Sequence, residues 1–246
     1  MPSIRMRLGM LFFIFLLLIT CKLENPTSVD MDDVLKFIFV QESSIYADGV
    51  STLEIKVWIP PEASDENNTI TFRTSLGTFH GASISNPKEI GVKADSEGYA
   101  LAILIAGTTV GTAFVSASVA DFIVYQKIEF LRAHATEIVG ETTSAVVSLD
   151  GSIKPQLTAH LTRDEGSVSL GTKVRFQAFQ TDSNGVIREV GLFFPVIAMT
   201  NDTGVVTSSF AANTGDVIKD QHVTIVMATS SDEGGELTFQ LNLLAK

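Results

Sequence analysis

Cysteine is almost absent from this chain of 246 residues: there is one, Cys21, so no disulfide framework can hold the fold together. Proline is scarce, with seven residues, and the 18 glycines follow no collagen-like period. Basic residues are outnumbered, with 17 Lys plus Arg against 28 Asp plus Glu and a net charge of 17 − 28 = −11. This balance argues against nucleic acid as a partner, because phosphate binding needs clustered cations. With 45% hydrophobic and 18% charged residues, the chain can nevertheless bury a core.

A hydrophobic run long enough to span a bilayer is also lacking at the N-terminus. Residues 1–20 contain Arg5 and Arg7, no acid, and an apolar run from Met10 to Ile19. Ten helical residues cover about 15 Å, half of a hydrocarbon core of roughly 30 Å. A cationic start followed by a short apolar segment predicts a secretory signal peptide over residues 1–20.

The single cysteine closes that run in Leu18-Ile19-Thr20-Cys21, which resembles the lipobox of bacterial lipoproteins. The resemblance implies that the Cys21 thiol is lipidated, that cleavage occurs before Cys21, and that an N-terminal lipid attaches the protein to the membrane. Thr20 departs from the Gly, Ala or Ser usual at that position, and a plain signal peptide with an incidental cysteine is the alternative. In the resembled family, a residue other than Asp after the cysteine, here Lys22, favours the outer membrane where the cell is Gram-negative; the sequence does not state the cell type.

The remainder of the chain has the sequence pattern of an all-β protein. Residues 21–33 carry a proline and four acids and predict a flexible stalk. From Val34 onward, short apolar runs alternate with turn clusters, and no helical periodicity is present. Period-two alternation predicts strands such as Leu53–Ile59 and Leu237–Leu243, each with one buried face. Leu101–Ile105, which is apolar at every position, predicts a central strand covered on both sides.

Similar segments recur along the chain, which predicts two tandem immunoglobulin-like β-sandwiches of about 100 residues each, over residues 34–133 and 143–246. The boundary falls within 134–143, to within about ten residues. The segment 93–100, KADSEGYA, is echoed by 199–206, MTNDTGVV. The segment 47–52, ADGVST, is echoed by 168–173, VSLGTK.

Residues 47–132 resemble a bacterial immunoglobulin-like domain of the invasin and intimin type. The motifs are ADGVST before LEIKVWI, then ITFRTSLGTFHG, then KADSEGYALAIL. Domain 2 departs from this pattern, because Phe193 lies 8 residues before Asn201 whereas 23 residues separate Phe72 from Asp95. The second unit is therefore expected to lack a middle hairpin. The resemblance implies a display or adhesion module without catalytic residues.

The residues themselves offer little reactive chemistry. There is no Gly-x-Ser-x-Gly elbow, and no spare cysteine follows Cys21, so we predict no catalytic residues and no enzyme activity. His80, His134, His160 and His222 lie too far apart in sequence for a local metal site, and we predict neither metal nor cofactor. Turn chemistry alone explains the Asp, Asn and Gly residues of the acidic turns. The sequence leaves open whether calcium binds, and the position expected for it is the domain junction, where carboxylates of both domains would meet.

Trp58 is a candidate for ligand binding. It falls on the polar register of its strand, immediately before Pro60-Pro61, so its side chain is expected near a strand end. An exposed tryptophan is a frequent interface anchor. The alternative is that the ring packs beneath the loop that follows it.

Together these features predict a lipid-anchored bacterial cell-surface protein that acts in adhesion or display, with a protein or glycan partner of unknown identity. The alternative is a structural periplasmic subunit of an envelope or secretion complex. A carbohydrate-active protein is a third hypothesis, since paired carboxylates can meet only in the fold.

Overall fold

The computed structural model describes residues 33–38, 43–61, 68–232 and 234–246. Within these residues there are 19 β-strands and no α-helix. The all-β prediction is therefore confirmed. The predicted signal peptide and Cys21 lie outside the described residues.

Nine strands form the first sandwich. Its two sheets have the orders β1-β3-β7-β5 and β2-β9-β8-β4-β6. The strands are β1 (Lys36–Ile38), β2 (Ser44–Tyr46), β3 (Thr52–Trp58), β4 (Thr69–Thr74), β5 (Thr78–Phe79), β6 (Glu89–Lys93), β7 (Tyr99–Ile105), β8 (Gly111–Val119) and β9 (Phe122–Leu131).

Ten strands form the second sandwich. Its sheets have the orders β10-β12-β17-β15 and β11-β19-β18-β13-β14, and β16 also pairs with β13. The strands are β10 (Glu137–Thr142), β11 (Val146–Val147), β12 (Gln156–Thr162), β13 (Lys173–Thr181), β14 (Ile187–Glu189), β15 (Leu192–Phe194), β16 (Ile197–Met199), β17 (Val205–Ala211), β18 (His222–Ser230) and β19 (Glu236–Ala245).

Period-two alternation accounts for how these strands pack. In β3, Leu53, Ile55 and Val57 are buried while Thr52, Glu54 and Lys56 are exposed, as the sequence predicts. Leu101 in β7 differs from expectation, because 45% of it is exposed. A single sandwich covers only the inner face of each sheet, so an apolar side chain on the outer face stays in solvent.

Each sandwich has its own hydrophobic core. One cluster of buried residues runs from Leu35 to Phe130 and the other from Ala135 to Ala245. β10 pairs with β12, so residues 137–142 belong to the second sandwich, although the sequence-based second domain begins at residue 143. β11 also belongs to this sandwich, through its parallel pairing with β19.

The strand orders show which positions of the two sandwiches correspond, and two expectations need correction. The second sandwich was expected to lack a middle hairpin, and this prediction is wrong. The residue that corresponds to Phe72 in β4 is Phe176 in β13, not Phe193. The Phe176 and Phe193 rings lie 6.0 Å apart, just as those of Phe72 and Phe79 lie 6.2 Å apart. Comparing Phe193 with Phe72 therefore misaligned the two units.

The second correction concerns ADGVST. Residues 47–51 connect β2 to β3, and in the second sandwich residues 148–155 make that connection, between β11 and β12. The segment 168–172 instead precedes β13. The two segments that look like repeats are in contact with each other across the domain junction.

Candidate functional site at the domain joint

The joint between the sandwiches is made by residues 163–172, which connect β12 to β13. This loop reaches the first sandwich at Asp48 through Gly166, whose φ is +70°. A Cβ at Gly166 would lie 2.6 Å from the Asp48 carbonyl oxygen, so only glycine allows the two backbones to approach this closely.

Ser169 is the centre of the joint and is fully buried. Its hydroxyl donates to the Ala47 carbonyl at 2.8 Å and accepts from the Ala133 N–H at 2.9 Å. Its own N–H donates to the Ala133 carbonyl at 2.9 Å. The Ser169 side chain thus satisfies two buried backbone groups, the Ala47 carbonyl in the first sandwich and the Ala133 N–H in the segment that leaves it. Leaving either group without a partner would cost stability.

Two further backbone hydrogen bonds flank Ser169. The Ser167 N–H donates to the Asp48 carbonyl at 2.7 Å, and the Leu170 N–H donates to the Thr108 carbonyl at 2.9 Å. Loops from both sheets of the first sandwich therefore hold the same loop of the second sandwich. The contact is direct rather than through a free linker.

The Asp48 carboxylate shapes the loop that Ser169 contacts. It is 5% exposed and accepts from the Val50 N–H at 2.9 Å, the Ser51 N–H at 2.7 Å and the Ser51 hydroxyl at 2.6 Å. Burial alone would raise the pKa of Asp48. The hydrogen bonds from Ser51 and Val50 and the charge of Arg163 together outweigh this rise, so the pKa lies below its ordinary value. The carboxylate is thus ionised at neutral pH.

Arg163 fixes the segment that joins the sandwiches. Its side chain is 12% exposed, donates to the His134 carbonyl, and forms an ion pair with Asp232 at 2.6 Å. The His134 N–H donates to the other Asp232 oxygen at 3.0 Å. A charged group held by several hydrogen bonds fixes geometry more firmly than an exposed pair does.

The strand directions place the chain ends at opposite ends of this assembly. β2 and β9 end at the joint, and β3 runs away from it to Trp58, which pairs with Lys36 near the start of the described chain. In the second sandwich β18 ends beside Ser231, which bridges to Ala135 at the joint, and the antiparallel β19 ends at Ala245 on the far side. The sandwiches are therefore stacked head to tail.

Chemically, the joint is built to hold rather than to react. Its two innermost carboxylates, Asp48 and Asp232, already accept hydrogen bonds from this chain. Within the described ranges no three His, Cys, Asp or Glu side chains are grouped as metal ligands. The question of calcium at the junction, which the sequence leaves open, therefore gains no such group of ligands among the described residues.

Trp58, the candidate for ligand binding, has partners inside the chain. Its indole N–H donates to the Glu97 carbonyl at 3.2 Å, and the Lys36 ammonium lies 4.7 Å from the centroid of its ring. It is half-buried at the end of the first sandwich remote from the joint.

The four histidines are dispersed. His160 faces Glu141 at 3.4 Å, and His134 lies in the joint. Sequence reasoning named Ser169 only as part of a supposed repeat, 168–173, and it did not name Gly166 or Arg163. The Gly-Ser pair in DEGSVSLGT between two strands was the available signal of a tight loop.

No helix in the described part of the chain is long and apolar enough to cross a bilayer.

No protein-family model and no curated protein matches the sequence. The fold is similar to that of the Yersinia pseudotuberculosis adhesin InvE, with a TM-score of 0.60 and 19% identity over 87% of this chain and 59% of that chain. It is also similar to Yersinia invasin, described as a bacterial integrin-binding protein, with a TM-score of 0.55 and 17% identity over 87% of this chain and 40% of that one. The chain spans less than two thirds of either protein.

These similarities establish the fold: the chain consists of tandem immunoglobulin-like β-sandwiches like those of invasin-type adhesins. The sequence-based resemblance of residues 47–132 to such a domain is confirmed, and the second sandwich shares the architecture.

Proposed function

We propose that this protein is a non-catalytic adhesion-type module of the bacterial cell surface, which holds two immunoglobulin-like sandwiches end to end above a lipid anchor at Cys21. The observation that carries the proposal is the joint at Ser169. A hinge between the sandwiches would need no buried hydrogen bonds, whereas this joint has several. A fixed joint keeps the far end of the second sandwich away from the membrane.

The position of the chain ends supports the same function. The chain enters the first sandwich at the end remote from the joint and leaves the second sandwich at its far end. A lipid on Cys21 would therefore place the first sandwich next to the membrane. Loops at the far end of the second sandwich, such as 213–221, would be presented outward.

Membrane fractionation of Cys21→Ala tests the anchor. Wild-type protein should partition into the detergent phase, and Cys21→Ala should lose most of that partitioning or accumulate unprocessed, while its far-UV circular dichroism stays unchanged. Thr20→Ala is the matched control, because it restores a residue usual in the lipobox and should remain anchored. Unchanged partitioning of Cys21→Ala would contradict lipidation.

Protease shaving of intact cells tests display. Cell-surface protein should be trimmed by external protease before the cells are broken. Complete protection, with cleavage only after lysis, would favour the alternative of a structural subunit inside the envelope.

A further inference from the structure

A depression lies on the outer face of the larger sheet of the second sandwich, towards the end remote from the joint. Its volume is about 740 Å³, within the range of about 300–1,000 Å³ that small-molecule sites occupy. Residues of β13, β18 and β19 line it, together with the segment 220–222. We call it the distal depression.

Strand alternation explains why an aromatic ring lies in the distal depression. In β13, Phe176 and Ala178 point inward and are buried, so Phe179 points to the outer face, where it is half-buried. Phe179 pairs with Thr224 of β18, and Val226 is the next outward residue of that strand. The Phe179 ring and the Val226 side chain thus give the distal depression an apolar part.

Polar side chains with unused hydrogen-bonding capacity lie beside this apolar part. Gln221, His222 and Gln240 line the distal depression, and within the described part of the chain their side chains form no hydrogen bond with another residue. An amide both donates and accepts, and so does a neutral imidazole. A ligand that displaces water from these groups must therefore offer hydrogen-bonding groups of its own.

The segment 220–222 is held in place by the last strand. The Asp220 N–H donates to the Ala245 carbonyl at 2.8 Å, and the Ala245 N–H donates to the Gln221 carbonyl at 3.0 Å. The Asp220 carboxylate forms an ion pair with Lys246 at 2.8 Å. Because this backbone is already ordered, binding a ligand here costs less conformational entropy.

We propose that the distal depression binds a neutral carbohydrate, through a hexopyranose unit of a glycan. A pyranose ring has an apolar face of C–H groups and a periphery of hydroxyl groups. The C–H face packs on the Phe179 ring, and the hydroxyl groups exchange hydrogen bonds with the amides and the imidazole. The distal depression offers both kinds of contact side by side.

Charge favours a neutral sugar over an ionic ligand. None of the described residues that line the distal depression is Lys or Arg, and the chain carries a net charge of −11, so an anion is repelled. The one carboxylate among these lining residues, Asp220, already pairs with Lys246, so a cation finds no free counter-charge. A purely apolar ligand would take water from the polar side chains without replacing its hydrogen bonds.

This inference rests on the proposed function, because it names the class of ligand that the outward end of an adhesion module would contact. Sugar binding is measured on the purified protein, without cells or membranes. Its failure would leave the tests of lipidation at Cys21 and of surface display unaffected, and their failure would leave the binding result unaffected.

Saturation-transfer NMR tests the proposal on the full chain in a polyoxyethylene detergent, which has no sugar headgroup. The probes are four neutral disaccharides: lactose, cellobiose, maltose and N,N′-diacetylchitobiose. At least one should receive saturation at the C–H protons of one ring face. Absence of transfer to all four, or stronger transfer to glucuronic acid than to its neutral counterpart glucose, would overturn the proposal.

Two variants locate the binding. Phe179→Leu keeps an apolar side chain but removes the aromatic face, and it should raise the dissociation constant of the bound disaccharide about tenfold. Gln240→Ala removes an exposed amide that the fold does not use, and it should raise this constant about fivefold while far-UV circular dichroism stays unchanged.

Tyr125→Ala is the matched control. Tyr125 is an aromatic side chain on the outer face of the first sandwich and is 67% exposed, so its loss should leave the dissociation constant unchanged. Wild-type affinity in both Phe179→Leu and Gln240→Ala, or loss of binding in Tyr125→Ala, would refute the distal depression as the sugar site.

Discussion

The first and second sandwiches share strand order but differ in what they do with the same edge. In both, a four-stranded sheet packs on a larger one, and a pair of phenylalanines, Phe72 with Phe79 or Phe176 with Phe193, lies between the sheets. In the first sandwich the segment 78–93, which connects the two sheets, exposes mostly polar side chains, whereas in the second the segment 186–199 exposes seven large apolar ones. The comparison teaches that inward positions and a few turns specify the fold, while outward positions are free to serve contacts.

Equivalent turns of the two sandwiches also share their geometry while differing in the side chain that forms it. Asp95 accepts from the N–H groups of Glu97 and Tyr99 at 2.9 and 2.8 Å, and Asn201 accepts from those of Thr203 and Val205 at 3.0 and 2.9 Å. The two turns are equivalent in position and geometry although the side chains differ in charge. What is retained is an acceptor oxygen at a fixed place in the turn.

The largest effect should come from breaking one core at a time. Phe72→Ala and Phe176→Ala each remove a fully buried ring and should destabilise their own sandwich by about 3–5 kcal/mol. Trp58, the single tryptophan, reports on the first sandwich alone. In urea unfolding, Phe72→Ala should lower the midpoint seen by Trp58 fluorescence, and Phe176→Ala mainly the midpoint seen by circular dichroism. Identical shifts by both probes would mean that the sandwiches unfold as one unit.

Alanine at three turn glycines sharpens the comparison of turns. Gly98, Gly204 and Gly185 all have φ near +80°, but a Cβ would lie 2.0 Å from the Ile59 oxygen at Gly98, 2.5 Å from the Leu161 oxygen at Gly204, and near no atom within 4 Å at Gly185. Gly185→Ala should cost about 1–2 kcal/mol, the conformational penalty alone. Gly98→Ala and Gly204→Ala should cost about 3 kcal/mol, because backbone must also move. Equal thermal shifts for all three would refute the packing argument.

Removing the Ser169 hydroxyl from the joint should have a smaller effect on stability. Ser169→Ala leaves the Ala133 N–H and the Ala47 carbonyl without their partner, at a cost of about 1–3 kcal/mol. The loss should appear as a wider interval between the fluorescence and circular dichroism midpoints, since coupling between the sandwiches falls. Ser85→Ala, on the exposed edge of the first sandwich, should change neither midpoint.

The smallest effect expected is on acid stability, through equivalent aspartates after β2 and β11. The Ser152 N–H and the hydroxyls of Ser152 and Ser148 lower the pKa of Asp150 to about 2, and the pKa of Asp48 is also lowered. A lowered folded-state pKa stabilises the fold above the ordinary aspartate pKa of about 3.9, and this contribution is lost as pH falls towards the folded value. The urea midpoint should therefore decrease between about pH 4 and about pH 2.

Asparagine variants show which aspartate causes the decrease of the urea midpoint on acidification. Asp150→Asn should flatten the pH dependence of the circular dichroism midpoint, and Asp48→Asn that of the fluorescence midpoint. A wild-type midpoint that rises on acidification would contradict the assignment.

Sequence reasoning succeeded where the signal is local. The alternation of Leu53, Ile55 and Val57 predicted β3, and the all-β, two-sandwich fold followed from such strands. It failed where strands far apart in sequence determine the meaning of a residue. Phe193 was compared with Phe72 because only pairing with β17 reveals that it occupies the place of Phe79.

The joint and the exposed apolar side chains of residues 186–199 were beyond reach for the same reason. The segments 47–52 and 168–173 looked like copies, and nothing local says that Ser169 contacts Ala47. Likewise, Phe194 and Ile197 have the composition of core residues. Which of two apolar faces lies outward depends on the register, and a shift of one residue would reverse it.

The parallel pairing of β2 with β9, and of β11 with β19, has a mechanical consequence. A pull between the two ends of the stacked chain acts along these short strands, so their hydrogen bonds are strained together in shear instead of opening one after another. Tension along the stacked sandwiches would thus be resisted by a few backbone hydrogen bonds in each sandwich. Force spectroscopy should record two separate rupture peaks, and Ile45→Pro in β2 should weaken one of them while sparing the other.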